Sequence, residues 1–412
     1  MRRLLRRKVK AVLRRLGYEV RVTRMRALPQ RGAFSPSFRP YVVKAPLSPP
    51  DAPRVLHIVG NFYTGGSARL VVDLVERLGD RYAQTVLTRD APSPPAYVVP
   101  NLRTEPWLDS PDEALRVISE SHPDLVHVHY LGPAFSGIEV GDWQWLTKVF
   151  RALEQWGGAV IENVNIPIAP YVSDVVDRYV FVSDYVRMKF GYPGSRSLTI
   201  HPGSDVDRFT RGEHVPLAEG CVGMVYRLQG DKLNARAIDV FVEVVRRRPG
   251  TRALIVGGGP LLASYKQTVA AAGLSDRFTF TGYVAYEELP AYFEQMSVFV
   301  APVHAESFGH VVPLAMSMEL PVAAFDVGAL SEILGDPAVL APAGDVSSLA
   351  DRVHDLLEDR SRMVELGTAN RERAVERFSV ETMVARYSQL YDELLSHSSA
   401  ASSGRAEASG LA

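Results

Sequence analysis

Two cations and one acid in the second half of the chain carry the strongest chemical signal. Arg227 follows the apolar run Val222–Tyr226, and Lys232 comes five residues later. At the carboxyl end of a strand, a guanidinium fork and an ammonium point charge suit a diphosphate. Gly257-Gly258-Gly259-Pro260 ends another apolar run and opens a helical pattern. Glu306-Ser307-Phe308-Gly309-His310 follows the run Val298–Val300 and leads into a helical pattern reaching about Met318. There an acid suits a polyol, while backbone N–H groups at Gly309 and His310 suit a phosphate. Each signal alone has a structural reading. Their recurrence at successive strand ends of one domain argues for a binding site.

The first half is quieter. Gly65-Gly66-Ser67-Ala68-Arg69 stands between a strand and a helix. Such glycines admit a ligand to the backbone at a helix N-terminus, although turn chemistry alone explains many of them. His127 and His129 alternate on a strand and share a face. A metal would need a third ligand, and the spacing along the chain supplies none, so no metal is expected. His129, nearer the carboxyl end, is expected to face the cleft, and His127 to be a satisfied core histidine. Asp205-Val206-Asp207 has the D-x-D form of metal-dependent sugar transferases, but its place near mid-chain reads as a connector, where capping is expected. Trp143 and Trp145 are suited to stacking on a sugar, with buried packing the favoured reading.

The elements that must position these residues follow from periodicity. Val55–Val59 reads as a strand, and Leu70, Val71, Leu74, Val75 and Leu78 form a helical stripe stopped by Gly79 at the C′ position. Strand-like runs recur at Leu125–His129, Ala159–Ile161, Tyr179–Val182, Val222–Tyr226, Ala253–Val256, Phe278–Phe280, Val298–Val300 and Val322–Ala324, with helical patterns between most of them. This alternation predicts an α/β fold of βαβ units with parallel sheets, whose ligands bind at the carboxyl ends of the strands. A chain of 412 residues requires two such domains, which places the site in the cleft between them.

Composition narrows the class further. With 46% apolar and 23% charged residues the chain is ordinary globular material. Its single cysteine, Cys221, excludes a disulfide scaffold and a thiolate zinc cluster. No continuous apolar stretch reaches spanning length, and the start lacks a secretory apolar region. A cytoplasmic location is expected. The net charge of −1 hides an asymmetry, because residues 1–26 hold eleven Arg and Lys against Glu19 alone. Leu4, Leu5, Val9, Val12, Leu13 and Leu16 form a helical stripe among those charges. A basic amphipathic helix suits an anionic membrane surface, which would make the protein peripheral on the inner face of the plasma membrane. A solvated tail or a transit peptide is the alternative. Nucleic acid is not expected, because no aromatics interleave with the charges.

The combined order and spacing of these motifs resembles a retaining glycosyltransferase of family 4, with the GT-B fold of two Rossmann-like domains. The resemblance runs from about Val55 to Tyr391. It includes the Gly65-Gly66 loop, Pro123–His129, Val182-Ser183, Pro202-Gly203 through Phe209, and Arg227 with Lys232. It continues through Val256–Pro260, Glu306–Gly309, Pro321-Val322, Gly328–Glu332 and Arg377-Phe378-Ser379. The implied organisation is a basic helix 1–26, a Pro-rich linker or strap 27–53, an acceptor domain 54–205 and a donor domain 206–376. A helix 377–397 then crosses back, and a disordered tail 398–412 ends the chain.

The resemblance also implies roles. Arg227 and Lys232 would stabilise the departing nucleoside diphosphate, and Glu306 would hold donor hydroxyls. Gly309 and His310 would present N–H groups to the diphosphate, Ser307 and Phe308 would belong to the same donor-binding loop, and Gly282, Tyr283 and Val284 would lie against the base. Gly65 and Gly66 would close from the other domain, with His129 near the reacting carbon. The implied reaction moves a sugar from a nucleotide sugar to a saccharide, lipid-linked or small-molecule acceptor, with no metal or other cofactor. The sequence departs from the family pattern at two positions. The second acid of the donor motif is replaced by Leu314, and Glu319 stands where a glycine commonly ends the helix. A non-catalytic GT-B protein that binds a nucleotide sugar or supports a partner transferase therefore stays open, as does a sugar-nucleotide epimerase.

Overall fold

A computed structural model describes residues 40–63, 65–93, 95–130, 140–190, 194–212 and 216–409. The basic segment 1–26 lies outside them. Two parallel sheets dominate. The first runs, in spatial order, Leu102–Thr104, Ala83–Asp90, Arg54–Asn61, Leu125–Tyr130, Ala159–Val164, Arg178–Phe181 and Ser197–Thr199. The second runs Phe278–Gly282, Arg252–Val256, Cys221–Val225, Val298–Ala301, Val322–Phe325 and Leu340–Ala341. In each sheet the first strand in sequence sits inside, and the order reverses beside it. The reversal opens a crevice at the carboxyl ends of the two central strands. In the first sheet that crevice lies after Arg54–Asn61, where Gly65 and Gly66 begin a helix. In the second it lies between the loops carrying Arg227–Lys232 and Glu306–His310. Topology alone thus places every motif of the donor loops at one edge of one sheet.

Each strand named in the sequence reading is present. Ala83–Asp90 was not legible because Gln84, Thr85 and Thr88 interrupt the apolar pattern, and five strands of two or three residues were too short to read. Gln84 is nonetheless buried, its amide donating to Leu74 O at 3.1 Å.

Residues 40–53 form a strap. Tyr41–Val42 pairs in parallel with Tyr97–Val98, Val43 is buried, and Tyr41 donates its hydroxyl to Glu76 Oε2 at 2.9 Å. The strap explains Gly79, which has no left-handed backbone and so does not act as the expected C′ residue. A Cβ there would meet Pro46 Cδ and O at 2.9 Å. The residue is glycine because another segment crosses it.

The chain crosses between the two sheets at adjacent points. Ser204 N donates to Phe378 O at 2.7 Å, and Val380 N donates to Ser204 O at 2.9 Å. A Cβ on Gly203 would lie 2.4 Å from Val380 Cα, so only glycine permits this approach. Asp205 Oδ1 accepts from Arg208 N at 3.1 Å, a turn cap. The last helix, Val380–Ser409, buries Met383, Tyr387, Leu390, Tyr391 and Leu394 against Val55, Leu125, Ile161 and Val180 of the first sheet. It continues past His397, where disorder was expected, through a segment whose Ala400, Ala401 and Ala406 are strong helix formers.

Glu319 adopts φ 57°, in the left-handed region. Its carbonyl oxygen would lie 2.2 Å from a Cβ on Gly367, so the helix Arg360–Phe378 packs directly against this turn. Glu319→Gly should therefore stabilise the protein by about 1 kcal/mol, raising Tm by roughly 1 °C in a thermal melt. No change in Tm would mean the side chain contributes as much as the backbone strain costs.

Candidate active site

Lys232 and Glu306 form the centre of the second crevice. The Lys232 ammonium donates to Glu306 Oε1 at 2.6 Å and Oε2 at 2.9 Å. The acid's side chain is 1% exposed, the lysine's 37%, so a buried carboxylate is neutralised from the solvent side. Ser307 N adds a bond to Glu306 Oε1 at 3.1 Å. The backbone there is tightly walled. A Cβ on Gly328 would lie 1.9 Å from Glu306 O, and one on Gly309 would lie 3.0 Å from Glu306 Cγ, and both glycines have positive φ. His304 N donates to Lys232 O at 2.9 Å, locking the two loops together.

Arg227 is half-exposed at the rim and pairs with Asp231 Oδ2 at 3.0 Å. Its loop is held by the triple glycine. Leu228 N donates to Gly258 O at 2.9 Å, and Cβ atoms on Gly257 and Gly259 would strike Tyr226 O at 1.9 Å and Leu228 O at 2.3 Å. The Gly257–Gly259 turn is therefore explained by packing against the loop that bears Arg227. Tyr283, half-exposed, sits over Gly258, where a Cβ would lie 2.7 Å from its Cδ2. Gly282 beside it has φ 71°, and Val284 is half-buried. An open tyrosine face at a strand's end is suited to a planar base.

His310 caps the helix Val311–Ser317. Burial, reinforced by the charges of Lys232 and Arg69, pushes its imidazole down to about 3, so the ring is neutral. The first lobe meets the second here. A Cβ on Gly66 would lie 2.9 Å from His310 Cδ2, which makes glycine necessary at that point, whereas Gly65 faces no neighbour within 4 Å. Phe308 is buried and stacks on His201.

Sequence reasoning missed most of what joins the lobes. Arg69 is hydrogen-bonded to buried Asp73 and lies 5.1 Å from the ring centroids of both Tyr41 and Tyr286. Ser183 Oγ donates to Ser307 O at 2.6 Å. Glu332 accepts from Asp184 N and Tyr185 N, both at 2.9 Å, and contacts His201 Nε2 at 2.6 Å. Ser183 and Glu332 belong to matched motifs, but their pairing across lobes has no signature in one dimension.

Two expectations about histidine need correction. His129 does not reach the cleft: it is fully buried, with ring centroids 4.2 Å from His127 and 5.6 Å from His57. Nor is His127 fully satisfied, because its Nδ1 meets Tyr391 OH at 2.8 Å while Nε2 has no partner among the described residues. The third histidine that spacing along the chain could not supply comes from the neighbouring strand, where His57 pairs in register with His127. Trp145 is buried and donates to Glu105 O at 2.9 Å, as packing would have it.

Leu314 is also settled in a way the motif did not suggest. It is 4% exposed and belongs to the hydrophobic cluster of the second lobe, with Val312, Ala315 and Met318. The position has been absorbed into the core.

The class of protein now follows from two parallel α/β lobes, each with its crevice turned to the other, and a cation–carboxylate pair in the second. This is the GT-B architecture of glycosyltransferases. A family description of glycosyl transferases group 1 matches residues 220–359. A GDP-mannose-dependent alpha-(1-6)-phosphatidylinositol monomannoside mannosyltransferase of Mycobacterium tuberculosis is 30% identical over 267 residues, covering 58% of this chain and 69% of the relative. A glycosyltransferase structure from Rickettsia africae superposes with a TM-score of 0.68 at 14% identity, covering 84% of this chain and 99% of the other. Anabaena HepE in complex with UDP-glucose gives 0.67 at 17% identity, covering 83% and 100%. The chain belongs to the family 4 glycosyltransferases, and it transfers a sugar from a nucleotide-sugar donor.

Two predictions come from this geometry. Leu314→Glu should destabilise the protein by about 3 kcal/mol or more, because it buries an unpaired acid, and should not improve donor affinity. Chemical denaturation read beside donor titration decides it, and tighter binding without loss of stability would show that the position faces the ribose. The second concerns pH. Burial holds His57 down at about 4, and holds His127 and His129 well below the usual histidine range. The unfolded chain then binds more protons than the folded one below pH 6.5, so stability is full above that value and falls as pH drops. At pH 5.5 the protonation these rings gain only on unfolding therefore lowers stability relative to pH 7.5. Urea unfolding at pH 7.5 and 5.5 measures this, and equal midpoints would exclude neutral burial.

Proposed function

We propose that this glycosyltransferase is retaining and metal-independent, and that it moves a hexosyl group to a saccharide, lipid-linked or small-molecule hydroxyl. The observation that carries the reading is the Lys232–Glu306 pair at the switch point, with Arg227 at its rim. Charge develops on the departing diphosphate, and fixed cations at that place supply the stabilisation a divalent ion would otherwise provide. Glu306 is held rigidly by Lys232, Ser307 N and two glycine approaches, which suits it to orient donor hydroxyls. Gly309 and His310 would present N–H groups to the phosphates, and neutral His310 adds no charge.

The bond from the anomeric carbon to the phosphate oxygen breaks as the acceptor oxygen bonds to the same face. The acceptor's proton passes to the leaving phosphate oxygen, so products are the glycoside and the nucleoside diphosphate. Front-face attack suits a site whose one carboxylate is neutralised by lysine and is not free to act as a nucleophile. The mycobacterial relative's GDP-mannose and phosphoinositide, and the UDP-glucose of the cyanobacterial structure, support donors and acceptors of these classes.

Arg227→Ala and Lys232→Ala should each lower kcat by about 10²–10³, with cooperative melting retained. Product analysis by NMR should show the donor's anomeric configuration, and saturating EDTA should leave the rate unchanged. Inverted product would overturn the front-face reading, and near-normal turnover in either variant would remove that cation from the reaction.

A further inference from the structure

His57, His127 and His129 lie on one face of the first sheet, all fully buried beneath the final helix, and play no part in the donor site. One ring nitrogen of each falls within 4.8 Å of the others, and His57 Nδ1 lies 3.3 Å from His129 Nε2. Two nitrogens bound to one tetrahedral zinc at 2.0–2.1 Å stand about 3.3 Å apart. The nitrogen that His127 would offer, Nε2, is buried and has no hydrogen-bond partner among the described residues. We propose that these three histidines form a structural zinc site that ties the centre of the first sheet together beneath the last helix.

The surrounding bonds fit this assignment. Gln84 Nε2 donates to Leu74 O, which turns Gln84 Oε1 toward His57 Nε2 at 3.0 Å. The proton of His57 therefore sits on Nε2, and Nδ1 offers its lone pair to the cluster. At His127, Nδ1 contacts Tyr391 OH at 2.8 Å, and donation to that oxygen leaves Nε2 as the ligand. Burial keeps all three rings neutral, the form that binds metal. Imidazole-only ligation suits zinc among the common ions, and a His-x-His strand with a third histidine on its neighbour supplies three ligands and leaves a fourth position to water. Such a water sheds a proton near neutrality, which halves the charge the site must hold. Complete burial excludes substrate, so the ion would enter as the chain folds and would have no part in sugar transfer.

The test uses the full chain, expressed in medium supplemented with zinc and passed through EDTA to strip surface metal. Elemental analysis should find about one zinc per chain, and less than about a tenth of that in His57→Asn and His127→Asn. Zinc-loaded protein should melt about 3 °C or more above protein grown under zinc limitation. Cobalt(II) loading of the unaltered chain should give the intense visible bands of a tetrahedral nitrogen site, a readout that holds even where a variant fails to fold. Substoichiometric zinc in the unaltered chain, equal zinc in folded variants, or a weak octahedral cobalt spectrum would each overturn the assignment.

Discussion

The buried carboxylate of Glu306 is the constraint around which the second lobe is arranged. A charge there costs several kcal/mol unless it is paired and hydrogen-bonded, and here Lys232 and Ser307 N do both. Satisfying that acid requires the Lys232 loop to stand beside the Glu306 loop, which the reversal of strand order between Cys221–Val225 and Val298–Ala301 brings about. It also requires space. Gly309 and Gly328 provide it, since any side chain at either would strike Glu306. The glycines, the ammonium and the topology are thus one solution to a single electrostatic problem.

The first lobe is joined to this centre through polar contacts as well as through a buried apolar cluster that includes residues of both lobes. Glu332 accepts two backbone N–H bonds from the start of the helix Asp184–Phe190, so an acid of one lobe caps a helix of the other. That arrangement favours negative charge at a helix N-terminus and complements its dipole. Ser183 and the Arg69–Tyr286 contact add two further links. Hydrogen bonds of this kind exchange readily with water, unlike an apolar interface of the same extent. The chain's two crossings between the sheets are themselves paired, through the parallel bridge between Ser204 and Ser379.

The fold was largely legible because parallel strands buried on both faces are written as continuous apolar runs, and helices between them as stripes. The donor loops were legible for a related reason: their residue types are ones that a structural role seldom requires together. What could not be read depends on register. His57 gains its meaning only from standing opposite His127, and Gln84 only from bonding His57 and Leu74. Gly79, Gly257 and Gly259 look like turn or ligand glycines, yet each is small because another segment's backbone passes close by, and Gly258 because Tyr283 lies over it. A sequence shows that a side chain is absent, not what occupies its place.

Leu314 shows how a binding motif can be altered without collapse of the site. The helix Val311–Ser317 is only seven residues long, and six of them are buried. An acid at position 314 would need water or a ligand hydroxyl on one side of that helix, since the other sides are core. Leucine removes the requirement and extends the apolar cluster, which stabilises the lobe when no donor is present. Arg227 with Asp231 and Lys232 with Glu306 keep their places at the crevice with leucine at position 314. Activity and an apolar residue at this position are therefore compatible on physical grounds.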